Sequence, residues 1–244
     1  EVLDAGATQL SPGPLQARLM AVAALVRAVG CTSDVRPFAE RAVAAADDVG
    51  DPTARSLASA ALARAMAYAL DFPAATHMSA RAIAFAADDP TGLAARFQPA
   101  ALCVMNNFDI DDLAGARALV AEGRRSVDQI GSLWADSFFS VQAGLIAYDE
   151  LRIDDALAES AAGLAGAESA GVQMPMAWLH SLEALSAARS GQFDRASAAL
   201  DRAMACMADC RFLGIDLATL AEVIIREGNG DGDAAFEHLA DMWM

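Results

Sequence analysis

Gly191-Gln192-Phe193-Asp194-Arg195-Ala196, followed by Leu200 and Ala203, is the stretch whose reading decides the fold. A glycine and an amide make a turn, and an acid stands where a helix begins. Ala196, Leu200 and Ala203 then fall four and three residues apart, the helical period. The same pattern returns along the chain. Starts of successive segments carry Val35, Ala75, Ala114, Ala156, Ala196 and Ala235, separated by 40, 39, 42, 40 and 39 residues. Further along the same segments stand Ala42, Ala82, Ala121, Gly163, Ala203 and Met242. A third column, Ala23, Ala63, Cys103, Gly144, Ala184 and Val223, is spaced 40, 40, 41, 40 and 39. Small residues at fixed places are what two helices need where their backbones cross closely, and a period near 40 marks a helical solenoid.

Turn signals fall between the columns, among them Gly30 to Asp34, Gly50-Asp51-Pro52, Asp71-Phe72-Pro73, Asp109 to Asp112, Gly131-Ser132, Gly171, Gly214 and Gly228 to Asp233. They leave segments of about 15 to 20 residues with apolar spacing of three and four, or roughly twelve helices in six pairs. A carboxylate precedes several second helices: Asp111 or Asp112, Asp154 or Asp155, and Asp194. It can accept from the free amides of a first helical turn and favours the positive end of the helix dipole. Recurrence wherever a helix starts marks these acids as caps rather than metal ligands.

Composition agrees with helices. Hydrophobic residues make up 55% of the chain and aromatics only 6%, so the apolar content is mostly alanine, leucine and valine, and no strand-like alternation runs to a useful length. Asp and Glu number 33 against 17 basic residues, all of them arginine, for a net charge of −16. Such a balance argues against gripping nucleic-acid phosphates, which needs clustered cations; Arg124 beside Arg125 is a single pair. Cys31, Cys103, Cys206 and Cys210 form no Cys-x-x-Cys pair and read as small buried hydrophobes in a reducing compartment. No apolar run is long enough to span a membrane, and no charged-then-apolar leader opens the chain. The chain opens on Glu1 with a helix under way by Val2, so the expectation is one repeat domain, 1–244, excised from a longer protein.

The segment 191–203 resembles the tetratricopeptide repeat in its longer, roughly 40-residue variant. Elsewhere the usual aromatic and proline positions are poorly kept, with Phe38 and Phe72 as partial substitutes. The resemblance implies an all-α, right-handed superhelical solenoid of about six helix-turn-helix repeats. Long repeats in an alanine- and arginine-rich chain are also similar to the sensor region of bacterial signal-transducing ATPases, the MalT-like transcription regulators. In that family a repeat array senses ligand beside a nucleotide-switch module and a DNA-binding helix-turn-helix. Neither module has a match here, and no G-x-x-x-x-G-K-[ST] loop is present. The resemblance therefore implies a cytoplasmic sensor segment whose partners are a small effector and the other domains of its regulator.

Nothing in the sequence asks for an enzyme, a metal or a cofactor. His77, His180 and His238 stand in different repeats, without the close spacing of a helical zinc site, and no Gly-x-Ser-x-Gly elbow occurs. Asn229-Gly230-Asp231-Gly232-Asp233 starts like a calcium loop, but Ala234 takes the place that needs glycine and Ala240 the place that needs a bidentate glutamate. Methionines crowd the last third and read mostly as adaptable core filler, the alternative being an exposed patch around Trp243 that would face a missing next repeat.

If first helices line a concave surface, as the resemblance implies, a candidate site emerges. Six residues before the small-residue column come Phe97, Phe138 and Trp178, 41 and 40 apart, a ladder of rings. Along the same faces lie Arg64, Tyr68, Asn107, Gln142, Tyr148 and Ser181, with His180 beside Trp178. Rings interleaved with amides, hydroxyls and a cation suit a small sugar, a ring covering its C–H face and polar groups its hydroxyls. Two alternatives stay open: the rings fill gaps between stacked repeats, or the groove holds an extended peptide.

Overall fold

In the computed structural model Gly6 and residues 9–30, 34–207 and 215–243 are described, and among them every regular element is helical. Val2, Cys31, Cys210, Gly214 and Met244 lie outside the described residues, as do the side chains of His238, Met242 and Trp243. The chain forms two compact units, Glu1–Gly131 and Ser132–Met244. In the first are α1 (Pro14–Val29), α2 (Val35–Val49), α3 (Pro52–Tyr68), α4 (Phe72–Ala87), the one-turn α5 (Leu93–Arg96), α6 (Ala100–Asp109) and α7 (Leu113–Ile130). The second opens on a 3-10 turn (Leu133–Ala135) and continues with α8 (Asp136–Asp149), α9 (Ile153–Ala170), α10 (Met174–Arg189), α11 (Phe193–Met207), α12 (Ile215–Gly228) and α13 (Gly232–Trp243). No described helix is long and apolar enough to cross a membrane.

Packing follows one rule in both units. The two helices of a pair lie against each other, and first helices lie against first helices: α1 on α3 and α3 on α6, then α8 on α10 and α10 on α12. Alanine makes these close crossings possible. Ala21, Ala24 and Ala28 of α1, Ala39, Ala42 and Ala46 of α2, and Ala54, Ala58 and Ala61 of α3 are fully buried in one cluster around Leu57. At Gly163 of α9 even a methyl group would not fit, since an added Cβ would lie 2.6 Å from Leu179 and 2.8 Å from Ser140.

The column along the first helices is buried throughout. In the third pair the two second-helix columns are out of register: Ala114 and Ala121 are exposed, and Ala116 and Gly123 take the buried places. With Ala116 and Gly123 restored, every separation in both columns falls between 39 and 41 residues. The misreading has a simple cause. Alanine stands at 114, 116 and 118, so small residues occur on packed and solvent faces alike.

From the second pair onward the turn inside the pair is one structure made five times. A left-handed residue follows the first helix at Leu70, Asp111, Leu151, Gly191 and Gly230, with φ of 61°, 62°, 60°, 74° and 84°. The next residue then donates its N–H back across the helix end: Asp71 to Met66, Asp112 to Asn107, Arg152 to Ala147, Gln192 to Ala187 and Asp231 to Arg226, all at 2.8–2.9 Å. This is the Schellman closure, which satisfies carbonyls the helix end would otherwise leave open. Asp71 and Asp112 cap the following helices, accepting from the N–H of Ala74 and Gly115. The other acids stand differently from the sequence expectation. Asp111 is the left-handed turn residue, while Asp154, Asp155 and Asp194 lie within first turns, and Asp155 pairs with Arg152. There they complement the helix dipole without capping.

The third pair departs in one more way. Its first helix is interrupted between α5 and α6 by Phe97, Gln98 and Pro99, with Gln98 buried at φ 48°. Proline lacks the N–H that would continue the ladder and disfavours helical backbone in the residue before it. Asp89 anchors the start of this pair, accepting from Thr53 and Thr91 hydroxyls at 2.7 Å and from the N–H of Ala94 at 2.8 Å.

Candidate ligand site

In the first unit the predicted site residues are tied to one another and to the fold. The Arg64 guanidinium stacks on the Tyr68 ring, 4.3 Å from its centroid, one helical turn along α3. It also pairs with Asp109 and donates to Asn106 at 3.2 Å, both on α6. Asn106 in turn donates to the Ser79 hydroxyl on α4 at 3.0 Å. The Tyr68 hydroxyl donates to the carbonyl of Ala28 on α1 at 2.9 Å. The guanidinium side chain is only 12% exposed, so its charge is answered inside the protein. Asn107, half-buried, lends its backbone carbonyl to the turn closure. Phe97 sits at the helix interruption rather than midway along a continuous helix, and packs against the alanine cluster of α1–α3.

In the second unit two ladder rings meet. Phe138 on α8 and Trp178 on α10 lie edge to face, 6.4 Å between centroids and 87° between planes. A third ring completes the line: Trp134, in the 3-10 turn, lies 5.8 Å from Phe138 at 78°. Edge-to-face contact sets the positive rim of one ring on the negative face of the next. Phe138 is 7% exposed, while Trp134 keeps 37% of its surface in solvent and Trp178 is half-buried. Sequence reasoning passed over Trp134 because it belongs to no 40-residue column. Its spacing of four from Phe138 was the available signal.

The polar residues of this unit face inward. Gln142 is buried, and Ser181 is fully buried with its hydroxyl donated to the carbonyl of Ala177 at 2.8 Å. Tyr148 is half-buried with Arg189 5.9 Å over its ring, and burial pushes its phenol pKa up. His180 is buried with Nδ1 3.8 Å from the Glu183 carboxylate. The His180 ring, then Arg195 and Arg202 at 3.0 and 3.3 Å, hold the Glu183 carboxyl down to about 2 against the opposing effect of burial. Of these contacts the Arg195 pair is the shortest.

A shallow depression of about 240 Å³ lies at the α9–α10 turn, lined by Ala167, Glu168, Gly171, Val172, Gln173 and Met176. None of these is a predicted site residue. Among the described residues no three His, Cys, Asp or Glu side chains come together as a metal cluster. Cys103 is completely buried, which pushes its thiol pKa up to about 12 and keeps it protonated. What the geometry offers is a row of three rings with partly open tryptophans, beside which the Ser181 hydroxyl is bonded within its own helix. Compared with family models, curated proteins and solved structures, the chain finds no match.

Proposed function

We propose that this chain is the ligand-sensing part of a cytoplasmic bacterial transcription regulator, that its helix pairs are tetratricopeptide-type repeats, and that it binds a small sugar at the second-unit rings. The five equivalent turns and the small-residue columns support the repeat assignment. The observation that carries the ligand assignment is the row Trp134–Phe138–Trp178, in which a buried phenylalanine holds two tryptophans with surface left to cover. An indole face covers the C–H side of a mono- or disaccharide. Binding would act by population shift, favouring one arrangement of the helix pairs over another and so biasing an attached module. The role is recognition, not catalysis.

A second reading, a scaffold that docks a peptide or protein, is favoured by a separate observation. Arg64 and Ser181 are spent on bonds within the protein and Gln142 is buried, so the polar complement of a sugar is not at the surface. Thermal unfolding against mono- and disaccharides and sugar phosphates separates the two. A ligand that binds only the folded chain raises the midpoint with its concentration. A sugar-dependent rise lost in Trp178→Ala supports the sensor; a flat response across the panel moves the assignment to the scaffold.

A further inference from the structure

Leu70 and Leu151 occupy the same left-handed place in two equivalent turns, at φ 61° and 60°, with 74% and 65% of their surface in solvent. At positions 191 and 230 the same place is filled by glycine, which adopts that backbone without steric penalty. A leucine there strains the backbone and exposes its side chain, and neither serves the fold.

In the first unit the strained leucine has company. Tyr68, 39% exposed, stands two residues before Leu70, and Ile110, 37% exposed, stands at the tip of the α6–α7 turn. The two turns are joined through Arg64, which stacks on Tyr68 and pairs with Asp109. That pair is internally neutral. Asp111 and the helix-capping carboxylates of Asp71 and Asp112 add negative charge, and neither turn, 68–73 or 108–114, carries a basic residue. The edge is therefore apolar at its tips and negative around them.

We propose that this edge docks a cationic amphipathic segment of a partner protein, its leucine-type side chains covering Leu70, Tyr68 and Ile110 and its lysines or arginines facing Asp71, Asp111 and Asp112. The charge complementarity selects the partner, because an acidic or neutral apolar segment would leave those carboxylates facing like charge or none.

Substitution at Leu70 separates docking from folding, because Leu70→Gly relieves strain while removing the central apolar contact. The probe is a fluorescein-labelled peptide of about 18 residues with leucines on one helical face and lysines on the other, titrated by anisotropy against the whole chain. Leu70→Gly is expected to weaken its binding about tenfold with an unchanged or higher melting temperature, as loss of one buried leucine contact requires. Asp111→Asn should weaken binding and flatten its salt dependence, and Leu151→Gly, in the other unit, should leave affinity as it is. No binding by the wild type, equal weakening by Leu151→Gly, unchanged affinity in Leu70→Gly, or equal binding of the same peptide with glutamate for lysine would each overturn the assignment.

Discussion

The ring of Phe193 fills the space beside Gly228 that any side chain there would need: an added Cβ would lie 2.2 Å from its Cζ and 2.4 Å from Cε1. Phe193 opens α11 and Gly228 closes α12, so this contact fits one helix start to the next helix end. Gly228→Ala should destabilise the protein by about 1–3 kcal/mol despite the better helix propensity of alanine, because the ring must leave its place. Phe193→Leu in the same background should restore part of the loss. Denaturant midpoints of the two single variants and the double variant check this.

The strained turn leads to a gain of stability. Leu151→Gly removes a left-handed penalty of ~1–2 kcal/mol and returns part of it as unfolded-state entropy, for a net gain of about 0.5–1 kcal/mol. Gly191→Leu at the equivalent turn should lose a similar amount. Melting temperatures should move in opposite directions by about 1–4 °C. Movement in the same direction would show that the two turns are not equivalent.

The three rings separate binding from packing. Trp178→Ala and Trp134→Ala remove partly exposed side chains and should abolish a sugar-dependent rise in melting temperature with a modest loss of stability. Phe138→Ala empties a buried site and should cost about 3–5 kcal/mol with or without ligand. Phe138→Leu should keep most of the stability and the ligand response.

Acid should withdraw a stabilising contribution at Asp89. Burial alone would raise its pKa, but accepted bonds from Ala94, Thr91 and Thr53 hold it down to about 2. A carboxyl that titrates lower in the folded state contributes its stability in full above the unfolded value of about 4, and loses it as pH falls towards 2. The contribution is at most about 2 kcal/mol, since part of it is screened by solvent. Asp89→Asn should lower the melting temperature at pH 6 and differ little from wild type near pH 2.

Periodicity made the helices and their pairing legible because a crossing imposes a size limit that recurs with the repeat. Ala23, Ala63 and Cys103 are buried where the spacing places them. Where alanine also coats the solvent face, as at Ala114 and Ala121, size alone could not choose the face. The site was less legible. Phe138 and Trp178 do meet, but Trp134 stands in a turn outside the period, and the partners of Arg64 and Ser181 depend on atoms that spacing does not specify.

Because each helix rests on elements close to it in chain order, contacts between helices close over about one 40-residue repeat rather than across the whole chain. Folding should then need little search: a turn closes, two helices zip together, and the next pair finds a surface already formed. Chains with such local wiring fold on the microsecond-to-millisecond scale rather than in seconds. During synthesis a finished pair could consolidate before the following one leaves the ribosome, sparing the alanine-rich faces a long wait in water.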